Sequence, residues 1–324
     1  MNWKNRNVFV TGANGFIGSG ITKALVEKGA NVVILIRDEI PASPLSYMSD
    51  VCNKLGGIVR GSATDYATVE RIFNEYEVNT CFHLAAQAIV GVANRSPLST
   101  FESNIKGTWN VLEAARNAKT LEKVIVASSD KAYGEHEKLP YSEEFCLSAS
   151  HPYDASKACA DILARTYFNT YGLPVAVTRC ANIYGGGDLN FSRIIPDTIC
   201  SVLFDRNPII RSDGTPVRDY LYIADAVDAY LTLAEKLEKV KGEAFNFGTN
   251  SPVSVLELVN KIIKISGKTH LKPIIKREAK GEINRQYLSG GKARRMLGWK
   301  PKYDLDKGLK ETIAWYKKYF RVHR

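Results

Sequence analysis

A tyrosine and a lysine four residues apart, in Tyr153-Asp154-Ala155-Ser156-Lys157, are the first residues whose types and spacing could do chemistry. On a helix they share one face. An ammonium beside a phenol favours the phenolate, so Tyr153 could take a proton from an alcohol. Upstream, the apolar run Val124 to Ser128 ends in Ser129-Asp130-Lys131. Ser129 offers a hydroxyl, while Asp130 and Lys131 offer a carboxyl and an amine that could work as an acid and a base. For that work the lysine must be neutral, through desolvation or neighbouring cations such as Lys157, and the aspartate must be held protonated. The plain alternative is a strand-end ion pair, which contributes little.

These groups need a scaffold, and the sequence supplies one. Apolar runs at Val8 to Val10, Val32 to Ile36, Thr80 to Leu84, Val124 to Ser128 and Val175 to Arg179 alternate with helical patterns. The helices are expected near Phe16 to Lys28, Ala67 to Tyr76, Thr100 to Ala118 and Asp154 to Tyr171. That alternation predicts an α/β fold with a doubly wound parallel sheet, whose ligands bind beyond the carboxyl ends of the strands. Directly after the first strand stands Thr11-Gly12-Ala13-Asn14-Gly15-Phe16-Ile17-Gly18. Glycines at this spacing allow a tight turn, close approach of backbone to a pyrophosphate, and close packing of helix on strand. The order strand, glycine loop, helix predicts a dinucleotide site. After residue 180, glycines 185–187 and Ile194-Ile195-Pro196 mark departure into a smaller C-terminal α/β lobe. A dinucleotide domain over residues 1–180 and a substrate lobe over 181–324 are expected, with segments near 215–250 crossing back. Ser254 is expected to cap a helix running through Ile265.

The glycine loop resembles the fingerprint of extended short-chain dehydrogenases/reductases of the epimerase/dehydratase type. His83-Leu84-Ala85-Ala86-Gln87 is similar to that family's cofactor-lining element, and Asn104 to Thr108 to its NxxGT helix motif. The resemblance implies a Rossmann fold, a Ser129–Tyr153–Lys157 catalytic set, and cofactor contacts from the loop and from Leu84, Ala85 and Ala86. It also implies that Gln87 and Asn182, the latter in an RxxNxYG motif, meet the substrate. Within the family, Ser129-Asp130-Lys131 departs from dTDP-glucose 4,6-dehydratases, which carry Thr-Asp-Glu there. It resembles CDP-glucose 4,6-dehydratases instead, as does the stretch from Gly185-Gly186-Gly187-Asp188 to Arg193-Ile194-Ile195-Pro196. The implied activity is dehydration of a nucleotide-linked hexose, with Asp130 as acid and Lys131 as base. A nucleotide-sugar 4-epimerase would need only the Ser–Tyr–Lys set, and a non-catalytic dinucleotide sensor would need none of it.

At the end of the second strand, NAD-preferring relatives place an aspartate. Here Ile36 and Arg37 stand at that point, which suits the 2′-phosphate of NADP, while Asp38 one residue later keeps NAD possible. Asp65 falls near the adenine region, although Ser62 occupies the place where an aspartate is common. For a nucleotide diphosphate, Arg193, Arg218 and Arg285 are candidate cations. Relatives dimerise through two helices per subunit, so a homodimer is expected through the helices near Thr100 to Ala118 and Asp154 to Tyr171.

Composition narrows the classes further. The chain has 324 residues, 45% of them hydrophobic and 24% charged, enough for a packed core. Its net charge of +10 is spread along the sequence and comes without a nucleic-acid motif, so a solvated surface accounts for it first and attraction of an anionic substrate such as a nucleotide diphosphate second. The six cysteines are scattered with no metal-ligand spacing, and no long apolar span appears, so a reduced, cytoplasmic protein without metal or membrane segment is expected.

Overall fold

The structure, a computed structural model, describes residues 2–40, 43–279 and 283–322. Seven parallel strands make the central sheet: β1 (Asn7–Thr11), β2 (Asn31–Ile36), β3 (Gly57–Arg60), β4 (Thr80–His83), β5 (Lys123–Ala127), β6 (Val175–Cys180) and β7 (Ala244–Phe247). They lie in the order β7-β6-β5-β4-β1-β2-β3. The strands are almost continuously apolar because both faces are covered, as in parallel sheets generally. Val8 and Val10 pack into one layer with Ile21 and Leu25, while Phe9 between them packs into the other with Val69 and Phe73.

Helices α1 (Phe16–Glu27), α2 (Tyr66–Glu75), α3 (Gly107–Asn117) and α4 (Pro152–Tyr171) alternate with the early strands. α5 (Ile194–Leu203) and α6 (Ile223–Lys236) follow β6, and α6 returns to pack on α1. α7 (Val255–Ile265) and α8 (Leu305–Val322) join α5 around a third core that includes Ile199, Leu258 and Leu309. Ser254 does cap α7: its hydroxyl accepts from Glu257 N at 3.2 Å, and the Glu257 carboxylate accepts from Ser254 N at 2.8 Å, a reciprocal box. Among the described residues no helix is long and apolar enough to cross a membrane, no metal-binding cluster occurs, and all six cysteines are free thiols.

Two features differ from the sequence expectations. β3 was not foreseen, because its four residues hold only two aliphatics between Gly57 and Arg60, too few to show a period. The single helix expected over Thr100 to Ala118 is instead Pro97–Phe101, a wide turn at Glu102–Lys106, then α3. Wide turns of this π type often mark places where a side chain is needed off the helical register. Here the turn carries Asn104, whose amide donates to Gln87 O at 3.1 Å and to Ser156 Oγ at 2.8 Å on α4.

Candidate active site

The glycine loop leaves β1 with Gly12 at φ +71. A Cβ on Gly12 would lie 2.7 Å from Ala85 N, so the loop packs directly on the backbone that follows β4. Gly15 is the N-cap of α1 and no side chain caps that end, which leaves the first helical N–H groups turned outward from the strand ends. That open helix N-terminus, with the glycine turn before it, fits a dinucleotide pyrophosphate. Asn14 Nδ2 donates to Asp38 O at 3.0 Å, tying the loop to the end of β2. There the Arg37 Nε donates to the Asp38 carboxylate at 2.7 Å, and Arg37 Nη1 donates to Ser103 Oγ at 3.1 Å. Arg37 is thus already paired by the carboxylate that follows it. Asp65 is the N-cap residue of α2, exposed, its carboxylate accepting from Thr68 Oγ1 at 2.5 Å, which holds it below the usual carboxylate range.

Beneath the loop runs a buried polar chain. Thr11 Oγ1 lies 2.8 Å from His83 Nδ1 and accepts from the backbone N–H groups of Leu84 and Ala85, each at 3.1 Å. His83 Nε2 lies 3.0 Å from Thr108 Oγ1, which donates to Asn104 O at 2.6 Å. Burial, reinforced by the Lys157 charge, pushes His83 down to about 3, so the ring is neutral and serves as a strut. The chain ends at Gln87, whose backbone N–H donates to Asn104 Oδ1 at 2.6 Å. The Gln87 side chain, expected to meet the substrate, accepts from Ile89 N at 3.1 Å through its Oε1.

The catalytic candidates converge at the ends of β5 and α4. Ser129 caps a short turn over Asp130–Tyr133, its hydroxyl accepting from Lys131 N at 3.2 Å and donating to Asp130 Oδ1 at 2.9 Å. Pro152 opens α4, which places Tyr153 in the first turn and Lys157 one turn later. Lys157 Nζ donates to Ala127 O at 2.7 Å, and burial lowers its pKa to about 8. Tyr153 is pushed up to about 12 by burial and by the Asp130 charge, with the Ser129 hydrogen bond acting in the opposite direction. The Lys157 ammonium is turned to the Ala127 carbonyl, and the charges that act on Tyr153 include Asp130 and Asp154, which raise it, and Arg193, which lowers it.

A cavity of about 460 Å³ opens beside this cluster, and Lys131, Asp154, Asn182, Arg193, Arg218 and Gln286 are in its wall. Arg193 Nη1 donates to the Asp188 carboxylate at 2.8 Å, which ties the arginine to the glycine-rich bend. Arg218 is buried and donates to Ile283 O at 2.6 Å and Asn284 O at 3.2 Å. Asn182 Nδ2 donates to Asp219 O at 3.3 Å. Arg285 does not reach the cavity. It is exposed, with its guanidinium 6.0 Å from the Tyr287 ring centroid. Side chains alternate along a strand, and in the pair Arg285–Gln286 it is Gln286 that points inward. Gln286 and Asp154 were both missed as site residues; Asp154 is buried in the cavity wall, its carboxyl pushed up by burial and lowered by the Lys131 charge. Their only signal in sequence is adjacency to residues singled out for other reasons.

A doubly wound sheet, a glycine turn at its first strand and a serine, tyrosine and lysine gathered at the ends of β5 and α4 define an extended short-chain dehydrogenase/reductase. The model of the GDP-mannose 4,6-dehydratase family matches residues 9–312, and the chain belongs to that family. A mouse dTDP-D-glucose 4,6-dehydratase is 31% identical over 328 residues, covering 97% of this chain and 90% of that protein. Among solved structures, the UDP-glucose 4-epimerase of Thermotoga maritima with UDP-glucose matches at TM-score 0.89 and 31% identity, over 97% of this chain and 99% of that one. The dTDP-glucose 4,6-dehydratase of Bacillus anthracis in complex with NAD matches at TM-score 0.86 and 28% identity, over 97% of each chain.

Proposed function

We propose that this enzyme is a nucleotide-sugar 4,6-dehydratase acting on a CDP-glucose-like hexose. The observation that carries the proposal is the placement of Lys131 and Asp130 on one turn, with Lys131 in the wall of the cavity that also holds Arg193, Arg218 and Asn182. A bound nicotinamide dinucleotide supplies a positively charged hydride acceptor that later acts as donor. Tyr153 takes the proton from the sugar O4, held by Ser129, as C4 is oxidised to the ketone. The ketone acidifies the C5 proton, which Lys131 Nζ removes. Asp130 gives its proton to the C6 hydroxyl, which leaves as water, and reduction at C6 with return of a proton from Lys131 to C5 completes a 4-keto-6-deoxy sugar. Arg193 and Arg218 supply the charge for the diphosphate, with Asn182 beside them.

The preference for cytidine rests on the Ser129-Asp130-Lys131 order and the Gly185 to Pro196 stretch, which are similar to CDP-glucose 4,6-dehydratases. For the cofactor, Ile36 and Arg37 favoured NADP in the sequence. The Arg37–Asp38 pair and the NAD of the Bacillus anthracis structure support NAD instead, because a carboxylate beside the ribose repels a 2′-phosphate. The protein is further inferred to be a homodimer: Leu98, Trp109 and Ile162, on the Pro97–Phe101 helix, α3 and α4, are 73%, 44% and 54% exposed. Sedimentation showing only monomer at micromolar concentration would contradict this. The function itself is tested by incubating the protein with CDP-, dTDP-, UDP- and GDP-glucose and weighing the products. Loss of one water from CDP-glucose is expected; inversion at C4 without a mass change would make the enzyme an epimerase and the Asp130–Lys131 turn structural.

A further inference from the structure

We propose that Gln286 is the positioning residue through which the second lobe orients Lys131 for proton removal, an inference that rests on the dehydratase function proposed above. Gln286 is fully buried on the short strand Arg285–Gln286, which pairs in parallel with Val217–Arg218. Its Nε2 donates to Asp130 O at 3.2 Å, and its Oε1 accepts from Lys131 Nζ at 3.2 Å. A backbone carbonyl only accepts, so the NH₂ end of the amide must face Asp130 and the oxygen must face Lys131. The amide cannot be turned round without losing its bond to the Asp130 carbonyl. One side chain from the substrate lobe therefore grips the acid–base turn at two points, the main chain of Asp130 and the side chain of Lys131.

The consequence for Lys131 is directional. A neutral amine has two N–H bonds and one lone pair beside its carbon. With one N–H committed to Gln286 Oε1, the lone pair and the second N–H are turned to the cavity, where a C5 proton would be presented. A flexible four-carbon side chain without this tether would spread its nitrogen over several rotamers. Other charged groups near it are Asp130 on its own turn, Asp154 and His151 at the start of α4, where Asp154 feels the charge of Lys131, and Arg193 and Arg218 in the same cavity wall. None of these supplies a bond of fixed direction to Lys131 Nζ. Gln286 also sits opposite Arg218 in the strand pairing, so the cation at the cavity wall and the tether of the base share one piece of backbone.

The test uses the intact protein and the nucleotide hexose that the wild type dehydrates. Gln286→Met removes both hydrogen bonds at similar volume, and kcat for water loss should fall about 10²-fold, the scale of a misplaced catalytic group, with KM within about threefold. C4 oxidation should persist, so reduced nicotinamide accumulates. Gln286→Glu keeps an acceptor but sets a carboxylate beside the ammonium. The rising limb of its pH–rate profile for dehydration should therefore move up by about one unit. A residue that merely fills space would leave that limb in place. If the wild type dehydrates while Gln286→Met does so within threefold and Gln286→Glu keeps the wild-type pH profile, the role of Gln286 is refuted and the dehydratase function stands. If the wild type removes no water from any of the four nucleotide hexoses, both are overturned.

Discussion

One four-residue turn, Asp130–Tyr133, belongs to two polar networks that are built on opposite principles. Toward the protein interior, Tyr133 OH donates to Asn246 Oδ1 at 2.8 Å and accepts from Arg179 Nη1 at 2.8 Å. Arg179 Nε and Nη2 bind both oxygens of Asp161 at 2.7 and 2.8 Å, and both partners are completely buried. Every strong bond there is made within the chain, and the Asp161 carboxylate raises the Arg179 pKa against the burial that opposes it. Toward the cavity, Lys131 makes one tether and Asp154 lies buried in the wall with Lys131 as a neighbouring charge. A closed network fixes geometry, whereas an open one leaves bonding capacity for a ligand. The turn can hold its catalytic end still because its other end is locked.

Breaking the closed side should have the largest effect on folding. Arg179→Met leaves Asp161 as a buried charge without a partner and should lower unfolding free energy by about 3–5 kcal/mol. Asp130→Asn, in the same turn, keeps the volume and an acceptor for the Ser129 hydroxyl and should change it by less than about 1 kcal/mol while dehydration is lost. Paired denaturant melts check this; equal destabilisation by both substitutions would dissolve the distinction.

The second effect is one of pH. Folded His83 protonates at about 3, whereas an ordinary imidazole does so near 6.5, so its contribution to stability is complete above 6.5 and is lost as pH falls toward 3. The unfolded chain binds the proton that the folded chain refuses, and each pH unit in that window costs about 1.4 kcal/mol. His83→Gln, which keeps bonding capacity toward Thr11 and Thr108, should flatten the slope between about pH 6 and 4. An unchanged slope would mean that His83 is not the titrating strut.

The smallest effect is expected at Arg37. Its side chain is 54% exposed and paired with Asp38, so Arg37→Ala should alter NAD affinity by less than about 1 kcal/mol by titration calorimetry. A larger loss confined to NADP would restore the 2′-phosphate role first suggested by its position.

How much of this was legible in the sequence follows from what each feature depends on. Strands β1, β2, β4, β5 and β6, the glycine loop and the Ser254 cap are set by local pattern, and the structure has them where the residues indicate. Gln286 against Arg285 is different. Which of two neighbours faces a cavity is decided by the register of a two-residue strand against Val217–Arg218, and no period can be read from two residues. Arg179 shows the same limit. It opens the motif that ends in Asn182 and Tyr184, but its burial against Asp161 and Tyr133 depends on how α4 and the Asp130–Tyr133 turn pack around β6, which spacing along the chain does not encode. The wide turn at Glu102–Lys106 was hidden because its residues keep a helical pattern while the register slips by one.

The central claim is that Lys131 removes a proton after C4 has been oxidised by other groups. Lys131→Met, mixed with the nucleotide hexose that the wild type dehydrates, tests it most directly by the absorbance of reduced nicotinamide and the mass of the sugar. Met keeps the length and removes the base, so nicotinamide should be reduced and stay reduced, with water loss slowed ~10²–10⁴-fold. Tyr153→Phe should show neither event. Dehydration by Lys131→Met within about tenfold of the wild-type rate would contradict the account, because that is less than the loss of a general base should cost.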